Sequence, residues 1–255
     1  MMKRILFATD LDNTLLFSHR HRQPGDRCAE LWNGAEQGFF TPETVDLLPQ
    51  AARQVRLLPI TTRSIAQYQR IRWPAGALPR EALTANGAVL LRDGAIDRDW
   101  YDQSWELVRA HQGALRDLLE RISAREDVTS ARIVENMYVY AACSDAAAAE
   151  RCAAAWAQDA PFQMEVSGRK VYWFPPGIDK GTALRRAAGR YRPERILCAG
   201  DSVIDVPMLR RADLAMIPDG TLLPALPAER ALVCQENVRF PDFVLRPVLA
   251  QAGPG

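Results

Sequence analysis

Two aspartates one residue apart, Asp10 and Asp12, follow directly on the apolar run Ile5-Leu6-Phe7-Ala8. A short buried strand that ends this way aims both carboxylates to one side of its tip, because side chains along a strand alternate with a period of two. In a parallel sheet, ligands bind in the crevice outside the carboxyl ends of the strands. One carboxylate there can attack phosphorus while the other handles the proton. Two bare anions facing a phosphate would repel it, so this chemistry needs a divalent cation. The same Asp-x-Asp also occurs as a simple helix-capping turn, and the segments downstream decide between the two.

Three segments supply the complement. Ile60-Thr61-Thr62-Arg63 puts a hydroxyl at the end of a second apolar run, a neutral donor for phosphate oxygens; Thr61 would serve equally as a helix cap. Asp179-Lys180-Gly181 sets a lysine at a helix start, where the positive end of the helix disfavours a cation. Of 32 basic residues only three are lysines (Lys3, Lys170 and Lys180), so a lysine placed there points to a role other than helix stability. Cys198-Ala199-Gly200-Asp201-Ser202-Val203-Ile204-Asp205 reads as strand, turn and helix, with Asp201 and Asp205 four residues apart and facing the same way. Hard oxygen ligands of this kind suit magnesium.

The elements that must position these groups alternate between strand and helix at both ends of the chain. Ile5 to Ala8, Val55 to Ile60, Arg195 to Ala199 and Leu214 to Ile217 read as strands, with Pro59 awkward for a central one. Thr41-Pro42-Glu43 has the N-cap, first-turn proline and acid of a helix start. Helices are expected over about 65–71, 180–188 and 206–211. Between Glu81 and Gly168 the pattern changes. Arg92-Asp93-Gly94 is a hairpin signal, and Leu115, Leu118, Leu119 and Ile122 have helical spacing. Ile133 to Tyr140 alternates like one half-exposed strand, the alanine-rich stretch 146–157 forms a helix, and 162–166 and 171–174 read as strands. This predicts a small antiparallel sheet covered by two helices and inserted into an α/β domain.

With 255 residues, 48% hydrophobic and 25% charged, the chain suits one large domain or two modest ones. A net charge of +1 provides no field for nucleic acid or a membrane surface. No long apolar stretch is present, and the opening 1–8 is expected not to act as a signal peptide. The five scattered cysteines, with no zinc spacing, predict free thiols in a reducing cytoplasm.

Taken in order, Asp10-x-Asp12, Thr61, Lys180 and Gly200-Asp-x-x-x-Asp205 resemble the four motifs of the haloacid dehalogenase superfamily. Thr84-Ala-Asn86-Gly87-Ala88 and Gly177-Ile-Asp-Lys180-Gly181 resemble, more narrowly, its branch of Cof-type sugar phosphatases, sucrose-phosphate phosphatase and mannosyl-3-phosphoglycerate phosphatase. The resemblance implies a Rossmann-like doubly wound parallel sheet core over 1–82 and 170–255, with an inserted α+β cap over 83–169 that selects substrate. It implies a magnesium-dependent phosphatase in which Asp10 forms an aspartyl-phosphate and Asp12 protonates the leaving alcohol and then activates water. Thr61 and Lys180 would hold the phosphoryl oxygens. Magnesium would be held by Asp10, the Asp12 backbone carbonyl and Asp201, with Asp205 in support. Thr62, Arg63, Asn86 and Lys180 are the expected substrate-binding residues, although Asn86, at the cap entrance, is expected to shape the hinge more than to touch substrate. Arg132, Asn136, Tyr138, Arg169 and Lys170 are cap candidates.

The chain departs from the branch at Asn13 and Thr62, where glycines are usual, and at Ile204, where an asparagine usually stands. A long connection over 16–40 begins Ser18-His19-Arg20-His21-Arg22 and is expected to be a solvated flap, the alternative being a grip on a second anionic group. The expected substrate is a small phosphorylated metabolite, a sugar phosphate or related polyol, handled by a cytoplasmic monomer or weak homodimer. A phosphomutase and a non-catalytic phosphoester-binding protein are the competing readings.

Overall fold

The computed structural model describes residues 4–156 and 161–253. Strand β1 (Ile5–Thr9) leads into an antiparallel flap of β2 (Phe17–Ser18), β3 (Arg27–Trp32) and β4 (Ala35–Phe40), ordered β2-β4-β3. Helix α1 (Pro42–Gln54) starts where expected, with the Thr41 hydroxyl accepting from the Thr44 N–H, and returns the chain to β5 (Arg56–Pro59). Helix α2 (Ile65–Gln69) is followed by a small antiparallel sheet of β6 (Glu81–Thr84), β7 (Val89–Arg92) and β8 (Ala95–Ile96). Helices α3 (Arg98–Val108) and α4 (Gln112–Ser123) lead to β9 (Val128–Val134) and β10 (Tyr138–Cys143), α5 (Ala146–Trp156), β11 (Gln163–Ser167) and β12 (Lys170–Phe174). The chain closes with α6 (Lys180–Tyr191), β13 (Arg195–Ala199), α7 (Val206–Leu209), β14 (Leu214–Ile217), β15 (Ala231–Val233) and α8 (Phe240–Ala252).

The central sheet is wholly parallel, in the order β15-β14-β13-β1-β5. Strand β1 is flanked by β5 on one side and β13 on the other, so the strand order switches there and its carboxyl end opens a crevice. Layers cover both faces: Phe7 packs with Leu48, Val244 and Leu245, whereas Leu6 and Ala8 pack with Leu58, Leu184 and Leu209. Two-sided burial is why β1 reads as an unbroken apolar run. Strand β5 ends this sheet, which is where Pro59 can be tolerated, since an edge strand has no further ladder to feed.

The four-stranded sheet, ordered β11-β12-β10-β9, forms the cap. Its alternation is clean. Val139, Ala141, Val171 and Trp173 face α4 and α5 and pack against Leu115, Ile122, Ala149 and Cys152. The opposite residues, including Arg132, Tyr140 and Tyr172, lie on the other face.

Some expectations are corrected. The single strand expected over 133–140 is a hairpin of β9 and β10 that turns at Glu135 (φ 48°) and Asn136 (φ 65°), and its apparent alternation runs across the turn. The hairpin β6–β7 sits on the core: Leu83 bridges Ile60 beyond β5, and Leu83 and Leu90 share a cluster with Leu58 and Trp100. The division expected at 82/83 therefore falls inside β6, and the one expected at 169/170 falls just before β12, a strand of the cap sheet. The helix expected over 146–157 ends at Trp156, and Ala157 lies outside the described residues. All five cysteines are free, and no helix among the described residues is long and apolar enough to cross a membrane.

Candidate active site

Asp10 follows β1 directly, and its N–H donates to the Ala199 carbonyl at the tip of neighbouring β13, so the sheet ladder itself brings Asp10 beside the 200–205 turn. Lys180 is the first residue of α6, 1% exposed, with its ammonium 2.5 Å from both Asp10 Oδ1 and Asp205 Oδ1. These contacts account for a cation at a helix N-terminus: its charge is met by two carboxylates across the crevice. Burial works against that charge, yet Asp10 and Asp205 hold the ammonium above its ordinary pKa.

Asp205 is fully buried and saturated. Its Oδ1 takes Lys180, and its Oδ2 accepts from the N–H groups of Asp201 and Ser202, both at 3.0 Å, and from the Ser202 hydroxyl at 3.1 Å. Gly200 makes this possible, since a Cβ there would stand 2.4 Å from the Asp205 Cβ. Asp201 lies on the open side of the turn, accepting from Asn13 Nδ2 at 3.3 Å. Asn13 has φ 59°, a left-handed conformation that asparagine tolerates, which explains how it replaces the usual glycine and adds a donor.

Asp10, Asp201 and Asp205 offer carboxylate oxygens within 4.8 Å of one another. Burial and the neighbouring carboxylates raise Asp201 to about 7. Burial likewise raises Asp10 well above its usual value, Lys180 opposing and the other aspartates adding to the shift. One ammonium among three crowded carboxylates leaves a negative site of hard oxygen donors, a set that fits magnesium. With Asp205 saturated by its four donors, Asp10 and Asp201 are the carboxylates open to an ion.

Asp12 lines a cleft of about 570 Å³ whose lining does not include Asp10 or Lys180. Arg63 grips it bidentately (Nε–Oδ2 2.9 Å, Nη2–Oδ1 2.7 Å), and its other Nη reaches Glu30 at 2.8 Å. Burial opposes ionisation of Asp12, but Arg63, with Lys170 and Lys180, overrides it and lowers the pKa to about 2. Thr61 is fully buried at the end of β5, its Oγ1 accepting from the Arg63 N–H at 3.1 Å. Thr62 lines the cleft, and its carbonyl accepts from the Tyr138 hydroxyl at 2.6 Å, a tie between cap and core.

The remaining candidates divide. Arg132, Tyr138 and Lys170 line the cleft, whereas Asn136 lies at the β9–β10 turn and Arg169 at the β11–β12 turn, away from the lining. Asn86 is 2% exposed, has φ 57° and donates to the Ile178 carbonyl at 3.3 Å, fastening the β6–β7 turn to the segment before Lys180 rather than lining the cleft. Arg20 and Arg22 border a separate hollow beside Arg239, and Arg22 pairs with Glu36 at 2.7 Å. Nothing in the sequence points to Glu30. Lying between Ala29 and Leu31, it reads as a solvent-facing strand position, but register shifts on either side of it turn the side chain inward. There it is 3% exposed and joins Arg63 to Arg70.

No family model matches the chain, and no curated protein matches it. Solved structures do match over nearly its whole length. A Synechocystis sucrose-phosphatase, determined with sucrose and phosphate, is 16% identical over 99% of this chain and 98% of its own, with a TM-score of 0.59. The C-terminal domain of a Candida albicans trehalose-6-phosphate phosphatase is 16% identical over 99% and 93%, with a TM-score of 0.60. A haloacid dehalogenase-like hydrolase from Bacillus subtilis is 16% identical over 97% and 100%, with a TM-score of 0.56. The chain has the fold of haloacid dehalogenase-type phosphatases, in agreement with the resemblance read from its motifs.

Proposed function

We propose that this protein is a magnesium-dependent phosphatase that hydrolyses a small phosphorylated metabolite, a sugar phosphate or related polyol, through an aspartyl-phosphate. The observation that carries this reading is the meeting of Asp10, Lys180, Asp201 and Asp205, drawn from three distant segments, at the switch point of the parallel sheet. The sugar-phosphate phosphatases that share the fold support the substrate class.

Asp10 attacks phosphorus, and the bond to the leaving oxygen breaks. Lys180, already shared between Asp10 and Asp205, offsets charge on the phosphoryl oxygens, and Thr61 closes the far side of the crevice. Magnesium bound by Asp10, Asp201 and the Asp12 backbone carbonyl would neutralise phosphate charge. Asp12 gives its proton to the leaving alcohol and later takes one from the water that attacks phosphorus, so that the bond to Asp10 breaks, the free carboxylate is restored and phosphate leaves. An Asp12 held near pKa 2 serves as the base but not as the acid, so arrival of the anionic substrate must first loosen the Arg63 grip. Positioning and charge neutralisation provide most of the rate. The cap, which we place from α4 to β12, closes the cleft over the leaving group, and the protein works in the cytoplasm.

Phosphate release from p-nitrophenyl phosphate and from a panel of sugar phosphates tests the proposal. Release should require magnesium, stop on chelation with EDTA and fall on the order of 10⁴-fold in Asp10→Asn. Undiminished turnover in the pure variant would reject the nucleophile. Release without a bisphosphate activator separates hydrolysis from mutase chemistry.

A further inference from the structure

The cleft beyond Asp12 carries more positive charge than its own acids neutralise. Four cations line it, Arg63, Arg70, Arg132 and Lys170, against the two carboxylates Asp12 and Glu30. Both carboxylates are engaged by Arg63 and Arg70 at 2.7 to 2.9 Å. Arg132 and Lys170 are exposed and have no ion-pair partner among the described residues. Glu165, opposite Tyr172 on edge strand β11, shares their sheet face but is bonded to Gln163 at 2.8 Å and does not line the cleft.

Register places these two cations on one face of the cap sheet, with β10 between their strands and an offset of two residues. Arg132, Tyr140 and Tyr172 are direct partners across β9, β10 and β12, and Lys170 is the next residue on the same face of β12. The Arg132 guanidinium lies 4.6 Å over the Tyr140 ring. Stacking fixes the plane of a guanidinium and leaves its N–H edge free, an arrangement suited to a carboxylate or phosphate.

We propose that the substrate carries a second anionic group, a phosphate or a carboxylate, on the part released with the leaving oxygen, held between Arg132 and Lys170 beside Tyr140. This rests on the phosphatase reading above. Water replaces the alcohol on one phosphorus, and the second anion leaves unchanged on the alcohol product. The cap, not the Arg20/Arg22 run, is thus where a second anion is read.

Two matched substrate pairs test it. 6-Phosphogluconate and sorbitol 6-phosphate differ in a terminal carboxylate, and fructose 1,6-bisphosphate and fructose 6-phosphate differ in a second phosphate. The wild type should favour the more anionic member of at least one pair by about tenfold or more in kcat/KM, the scale of a charge-assisted contact. Arg132→Ala or Lys170→Gln should narrow that preference to about twofold, and the pair that shows it identifies the anion. Equal turnover within both pairs, or a preference that survives both substitutions, overturns the proposal. Calorimetric binding of the same four compounds to Asp10→Asn reads the second anion without catalysis. If the wild type releases no phosphate from p-nitrophenyl phosphate with magnesium, the phosphatase reading fails, and the binding preference still decides this one.

Discussion

In the buried ion cluster at the end of β1, the floor of the site, Lys180 is 1% exposed and shared by Asp10 and Asp205 at 2.5 Å each, while on the cap face that forms the roof of the neighbouring cleft Arg132 and Lys170 are exposed and have no ion-pair partner among the described residues. Cationic side chains appear in both places, in opposite states. The floor ions lock one another, because each would be costly to bury alone, and their geometry is set before any ligand arrives. The roof cations can stay unmatched because water still solvates them. A site prepared for one reaction and a face left to meet variable partners are therefore told apart by whether their charges are already answered.

Lys180→Met tests the floor hardest. It strands two carboxylates and should cost about 3–5 kcal/mol of stability, read by denaturant unfolding, together with nearly all turnover. A loss below about 1 kcal/mol would mean the ions do not lock one another. Glu30→Gln comes next. It releases Arg63 and Arg70 at once, costing about 3 kcal/mol, and it should lower kcat/KM more than Asp10-independent binding of phosphate. Gly200→Ala pushes a methyl against Asp205 and should cost about 1–3 kcal/mol, read as a lower Tm. The smallest effect is at the seam between the regions. Tyr138→Phe removes the hydrogen bond to the Thr62 carbonyl, about 1 kcal/mol, and lowers Tm by about 2–4 °C. Unchanged stability there would mean that the cap does not rest on that bond.

Separate segments are legible in the sequence wherever local chemistry suffices to shape them. The Thr41-Pro42 helix start, the strand before Asp10, and the turn bearing Asp201 and Asp205 were legible because capping, two-sided burial and loop chemistry are local. Alternation fails over 133–140, since a three-residue turn, with Glu135 and Asn136 at positive φ, keeps the polar–apolar rhythm going while reversing the chain. The strands inside the 16–40 flap were invisible for another reason: they are short, and irregular register turns Glu30 inward against its pattern.

The sequence by itself settled the kinds of groups at the site and their order: a carboxylate pair after a strand, a hydroxyl, one rare lysine at a helix start, and two more acids after a strand. Only the tertiary structure decided how they share the work. It turned Asp205 into a brace for Lys180 and the 200–205 turn, put Asp12 in the grip of Arg63, and gave Asn86 the Ile178 carbonyl as its partner. The physical reason is that charge and hydrogen-bonding capacity are fixed by residue type, whereas which partner claims them depends on burial and on distances of a few ångström across the sheet edge.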